Sequence, residues 1–195
     1  MKKACVFMIS ALAAYFILIS GASAQDAKFS KEDYEITVPK RVSIETMVQL
    51  GKYDYTDSIC GEIYPGCESV HIYEKVKVTI LQFEGIVGTD EVYQAMIKNG
   101  YRPAKFQELL ALGAEMPDLQ KQYNIIAFGS FWKDQDKGYA FGLKLCSYTT
   151  FDTATRNISK LRGLKEVCLD KKWKNFNRFL AVYEGASLRQ SLALD

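Results

Sequence analysis

A charge-free apolar run from Ala4 to Ser20 constrains this chain before any other feature does. Lys2 and Lys3 precede it, and Gly21 and the small-residue triplet Ala22-Ser23-Ala24 follow. A cationic start, an apolar stretch and a small-x-small site form the pattern that a signal peptidase reads, because only small side chains fit its pockets at those two positions. The expectation is a signal peptide over residues 1–24, cleaved after Ala24, and a secreted or periplasmic protein that folds from Gln25 onward. The alternative is an uncleaved anchor. The run of 17 residues sits at the short limit of a bilayer span. Asp26, Lys28, Lys31, Glu32 and Asp33 behind it are mixed in sign rather than a positive stop. Cys5 precedes the small-residue site, which argues against lipoprotein processing.

Removing the signal changes the charge. The whole chain has 25 Lys and Arg against 23 Asp and Glu. Without Lys2 and Lys3 the two signs balance. A nucleic-acid partner is not expected, because phosphate binding draws its affinity from a basic stripe. The densest cluster of cations, Lys171, Lys172 and Lys174, lies beside Asp170 and reads as a solvated turn. Contact with a membrane is expected only through an uncleaved signal.

Four cysteines follow the signal: Cys60, Cys67, Cys146 and Cys168. An even number in an exported chain favours disulfides. Of the three possible pairings, Cys60–Cys67 closes a loop around Tyr64-Pro65-Gly66, and Cys146–Cys168 joins two expected strands. No metal or cofactor is expected: there is no C-x-x-C, and the lone histidine, His71, has no ligand-like spacing to another donor.

Along the chain, residues 25–69 read as an N-terminal arm and disulfide loop, 70–185 as the core domain and 186–195 as a tail. Tyr34, Ile36 and Val38 alternate with polar residues and suggest an edge strand ended by Pro39. Residues 41–50 fit a strand or a short helix, and residues 52–69 read as loop. Val76, Val78 and Ile80 alternate with Lys75, Lys77 and Thr79, the pattern of a strand with one wet face. Thr89-Asp90-Glu91 opens a helix to Lys98, with Val92, Ala95 and Met96 inside and Asn99-Gly100 as its stop. Pro103 is placed to begin a second helix, in which Phe106, Leu109, Leu110 and Gly113 fall at helical spacing up to Met116-Pro117. Strands are expected at 124–128, from Tyr139 through Leu145, at 164–169 and at 178–183, with 152–162 a polar turn region. The result is an α+β class, two consecutive helices packed on an irregular, mainly antiparallel sheet. Parallel βαβ units are not expected, since turns join the later strands.

Gly100-Tyr101-Arg102-Pro103-Ala104 with Glu108-Leu109-Leu110-Ala111, then Ile125 to Ser130 and Arg178 to Val182, resembles a pattern of uncharacterised small exported bacterial proteins. That resemblance covers residues 75–184 and implies no activity. Arg102-Pro103 with Glu108-Leu109-Leu110, and Asn177-Arg178-Phe179, more distantly resemble the C-type-lectin-like fold in its sulfatase-modifying-factor form. The helix tryptophan of that family and the calcium triplets of sugar-binding lectins are absent. As an enzyme of that type, the chain would have to use Cys146 and Cys168.

Other chemistry finds little footing. His71 has no nucleophile and orienting group at a recognisable spacing. Glu62, Glu68, Asp134 and Asp136 form no selected carboxylate pair. Gly85-Ile86-Val87-Gly88 is too short for a phosphate loop. The segment from Asp134 to Gly138 is similar to a calcium loop but lacks its later glutamate. Asn157-Ile158-Ser159 is a glycosylation sequon. No catalytic residue is assigned. Phe131, Trp132, Tyr139, Trp173 and Phe176 flank polar turns, and rings with wet edges suit sugar stacking or protein contact. Trp132, Tyr139 and Trp173 are therefore the candidate ligand-binding residues. The expected function is a non-enzymatic recognition domain for a protein or glycan. The alternatives are the sulfatase-modifying type of enzyme and a structural accessory of the envelope.

Overall fold

The computed structural model describes residues 27–57, 72–133 and 138–185. Its frame is a large, mainly antiparallel sheet with helices on both faces, an α+β arrangement. Strand β1 (Phe29–Lys40) pairs antiparallel with β3 (Ile72–Phe83) along its whole length, from Phe29 opposite Phe83 to Lys40 opposite Ile72. Pro39 does not end this strand. It lies on a sheet edge, where the missing N–H costs no ladder bond.

Next comes β10 (Asn177–Tyr183), antiparallel to β3. Its other side is shared: β6 (Asn124–Lys133) runs parallel to its first residues and β5 (Tyr101–Pro103) antiparallel to its last. The sheet continues through β7 (Ala140–Asp152) and β8 (Asn157–Cys168) to the two residues of β2, Tyr55–Thr56. Two parallel contacts, β6 with β10 and β2 with β8, therefore occur without a βαβ unit. A hairpin, not a helix, lies between the paired strands β6 and β10.

Alternation along these strands divides the core into two. On one face, Ile36, Val78, Ile80, Ile125, Leu145 and Leu180 pack against α1 (Ile44–Gly51) and α3 (Phe106–Glu115). On the other, Leu81, Phe83, Ile126, Phe128 and Phe179 pack against α2 (Thr89–Lys98) and Trp173. Strand β3 is thus buried on both faces at its C-terminal end, and only its start has the wet face its lysines suggest. The first helix also belongs to the core: Ser43 caps it by accepting from the Thr46 N–H, and Ile44 and Met47 are buried.

Two joints hold this arrangement. Helix α3 begins at Phe106 rather than Pro103, because Tyr101–Pro103 is taken up by the sheet. Arg102 then grips Glu108 with both terminal nitrogens, at 2.9 and 2.6 Å, and its Nε donates to Glu184. The same Glu108 carboxylate accepts the Lys105 N–H at the helix start. The second joint is a bulge in β6, where pairing with β7 shifts between Ala127 and Trp132. There the Gly129 N–H donates to the Ala104 carbonyl at 2.9 Å, and a Cβ at Gly129 would lie 2.3 Å from the Pro103 oxygen. Only glycine admits that backbone approach.

The region read as polar turn, residues 152–162, is mostly strand. A turn at residues 153–156 joins β7 to β8, and Asp152 closes it by accepting from the Ala154 and Thr155 N–H groups. The cysteine pairing expected here is also corrected. Cys146 lies opposite Gly163, and Cys168 lies opposite Phe141. They are five ladder steps apart, roughly 17 Å, and an odd step number puts them on opposite faces. A disulfide needs Cα atoms about 4.4–6.8 Å apart, so both remain free thiols. The expected Cys60–Cys67 pair lies outside the described residues, as do the signal and the tail.

Candidate functional site

The start of α2 is clipped to the chain ahead of β10. Two short strands, β4 (Val87–Gly88) and β9 (Lys172–Trp173), pair antiparallel with Val87 opposite Trp173. Gly88 caps the helix, and Glu91 reaches back to accept the Gly88 N–H. Thr89, expected as the cap, is instead the first helical residue, and its hydroxyl serves the tertiary structure. It donates to the Leu169 carbonyl and accepts from the Trp173 indole N–H at 2.8 Å. Across from this clip, the Leu169 N–H donates to the Ala140 carbonyl, and Asp170 accepts the Ala140 N–H.

Between these anchored walls runs a cleft of about 670 Å³, lined among others by Thr89, Asp90, Tyr93, Phe131, Lys171 and Lys172. That volume falls within the usual range of small-ligand clefts. Tyr93 and Phe131 are 39% and 55% exposed, so each ring offers a surface to a visitor. Tyr139, 50% exposed, adjoins Ala140 in the wall. The Lys171 ammonium lies 4.4 Å from the Trp173 ring centroid. Burial pulls its pKa below the ordinary lysine value, with the nearby Lys144 adding repulsion. Lys172 faces Glu91 at 3.8 Å. Apolar rings beside paired charges can stack on a sugar or side chain and hydrogen-bond to its rim. A larger groove on the other side of α2, about 810 Å³, is lined by Ile86, Gln94 and charged residues and carries no ring.

The three ligand-binding candidates do not come together as one set. Trp173 is 2% exposed, with its indole nitrogen bonded to Thr89, so it has no free face for stacking and instead supports the cleft wall. Trp132 belongs to the opposite face of the sheet, stacked on Phe141 with centroids 5.9 Å apart and edge-on to Phe106. Tyr139 is exposed beside Ala140 of the cleft wall but does not itself line the cleft. Phe176 is exposed but does not line the cleft. His71, Glu62, Glu68, Asp134 and Asp136 lie outside the described residues. Among the described residues no group of three or more His, Cys, Asp or Glu could hold a metal ion.

Tyr93, Thr89 and Lys171 were not singled out by the sequence as ligand-facing. Tyr93 carried a signal, since it falls off the helix face set by Val92, Ala95 and Met96. Lys171 carried none, because its place over Trp173 at the cleft depends on a strand pairing with residues far along the chain. The cysteine pair needed by a sulfatase-modifying type of enzyme is not assembled, since the two thiols face opposite sides of the sheet. No family model, curated protein or solved structure matches this chain.

Proposed function

We propose that this chain is a non-enzymatic recognition domain, exported and trimmed after Ala24, which binds a glycan or protein ligand in the cleft beside α2. The observation that carries the reading is the pairing of exposed Tyr93 and Phe131 rings with Asp90, Lys171 and Lys172 around one cleft of ligand size. Other described rings, Tyr55, Tyr73, Tyr139, Phe151, Phe176 and Tyr183, are exposed as well, but only Tyr93 and Phe131 of the exposed rings line this cleft, one on helix α2 and the other on strand β6. Pre-set rings lose little conformational freedom on binding, which is the property a recognition surface needs. The reading does not depend on a C-type-lectin-like kinship, which implies a ligand surface near Trp132 and Trp173. Those two rings lie on opposite sides of the sheet.

The test is a binding screen of the exported protein against glycan and surface-protein panels, run beside the Tyr93→Ser/Phe131→Ser double variant. Both rings are exposed, so the double variant keeps its thermal midpoint while losing on the order of tenfold to hundredfold in affinity. Unchanged binding by the double variant refutes the cleft. Mass spectrometry of the exported chain tests the trimming, which predicts an N-terminus at Gln25.

A further inference from the structure

The β7–β8 hairpin reaches beyond the rest of the sheet. Its pairing with β6 ends at Leu145, opposite Ile125, and from Ser147 to Phe151 strand β7 pairs with β8 alone. Every residue from Phe151 to Leu161 is exposed, and Phe151 and Ile158, directly opposite each other, are 61% and 72% exposed. Such an edge offers a row of unpaired backbone donors and acceptors to another strand, and sheet proteins blunt edges of this kind with charges or proline.

The outer edge of β1 is blunted in that way: it carries Lys31, Glu32, Asp33, Glu35, Lys40 and Pro39. Strand β7 from Ser147 to Phe151 reads Ser-Tyr-Thr-Thr-Phe, with no charge, no proline and strong strand formers at every position after Ser147. We propose that this edge pairs antiparallel with the same edge of a second copy of this chain, so that two sheets continue through a two-fold axis.

The charges select that occupant. A two-fold axis brings each strand against itself, so any charged residue near the axis meets its own copy. Strand β8 is covered by β2 and its flanking residues from Arg162 to Glu166, and its free part, Asn157 to Leu161, would bring Lys160 against its own copy, an opposition of like charge that destabilises a pair. Strand β7 brings none. Thr150 and Ser159 already bond across the hairpin through their hydroxyls at 2.7 Å, which holds the ribbon in shape before it pairs. The arm lies apart from the cleft, so this inference stands or falls independently of the proposed ligand.

Analytical ultracentrifugation of the exported protein at concentrations on the order of 10–100 µM tests it, because an interface this small implies micromolar or weaker dissociation. The expected result is a reversible dimer that Thr149→Glu weakens by about tenfold or more, with far-UV circular dichroism unchanged, since Glu at 149 faces Lys160 favourably within its own hairpin but meets its own copy at the axis. Hydrogen exchange gives the second readout: amides between Ser147 and Phe151 slow as concentration rises. A monomer at all concentrations overturns the proposal. So does a dimer indifferent to Thr149→Glu, or concentration-dependent protection at β1 instead of β7.

Discussion

Replacing Arg102 with Met removes the clamp between β5, α3 and the end of β10. In the folded protein the Glu108 side chain is 8% exposed and Arg102 22%, and the two meet through paired nitrogens and oxygens. Glu184, on the third nitrogen, is 37% exposed. Without the guanidinium, Glu108 keeps only the Lys105 N–H and must stay charged in a site with little water, or leave it. Breaking one side of such a buried pair costs about 3 kcal/mol, the low end of the usual range because Arg102 retains some solvent. For a domain of this size that lowers the thermal midpoint by roughly 6–12 °C.

Differential scanning calorimetry of Arg102→Met, Glu184→Gln and the Arg102→Met/Glu108→Leu double variant separates the contributions. The exposed Glu184 contact should be worth under about 1 kcal/mol, and the double variant should recover most of the loss because no carboxylate is left stranded. A single-variant loss under about 1 kcal/mol, or a double variant no better than the single, would refute this account of the joint.

Gly129→Ala sets a methyl group against the Pro103 and Ala104 carbonyl oxygens, which are backbone and cannot swing aside. Its denaturant midpoint should fall by the equivalent of about 2 kcal/mol, and a neutral change would show that the bulge yields. Burial, then the nearby Asp57 carboxylate, raises the Glu166 pKa above the usual carboxylic range, and one of its oxygens has no hydrogen-bond partner. A raised acid holds its proton longer in the folded state, so its contribution to stability declines as pH rises from the unfolded value through the folded one. Glu166→Gln should therefore melt higher than the parent at pH 7, with the gap closing below about pH 4; a constant gap contradicts the assignment. Native iodoacetamide labelling read by peptide mass spectrometry should modify Cys168 before Cys146, whose thiol pKa burial pushes up. Equal rates would show that the β7–β8 end of the sheet opens readily.

Much of the fold is readable from residue patterns wherever one side of an element faces a core. Helix α2 ends at Lys98 as expected because Val92, Ala95 and Met96 mark its inner stripe and Asn99-Gly100 stops it. The alternation of Tyr139 through Leu145 locates β7 for the same reason. The first half of β8 was unreadable because neither of its faces meets a core, so Asn157 to Leu161 carry no apolar period and its register comes from β7 alone. The parallel contact of β6 with β10 leaves no local trace, since residues far apart in the chain make it. The cysteine pairing failed on register: an odd offset along the ladder, invisible in spacing, sends the two thiols to opposite faces. Trp132 and Trp173 divided between the two cores for the same kind of reason. The cleft was only partly legible, since its rings are visible in the sequence while the clip of β4 and β9 that gathers them is not.

Site-specific photocrosslinking tests the recognition reading most directly. Benzoylphenylalanine is placed in turn at Phe131, Tyr93, Trp132 and Phe176 of the protein, and irradiation is carried out with the ligand found in the binding screen. The account predicts covalent adducts from positions 131 and 93, with positions 132 and 176 silent. Adducts from position 132 or 176, with none from 131 or 93, would contradict it.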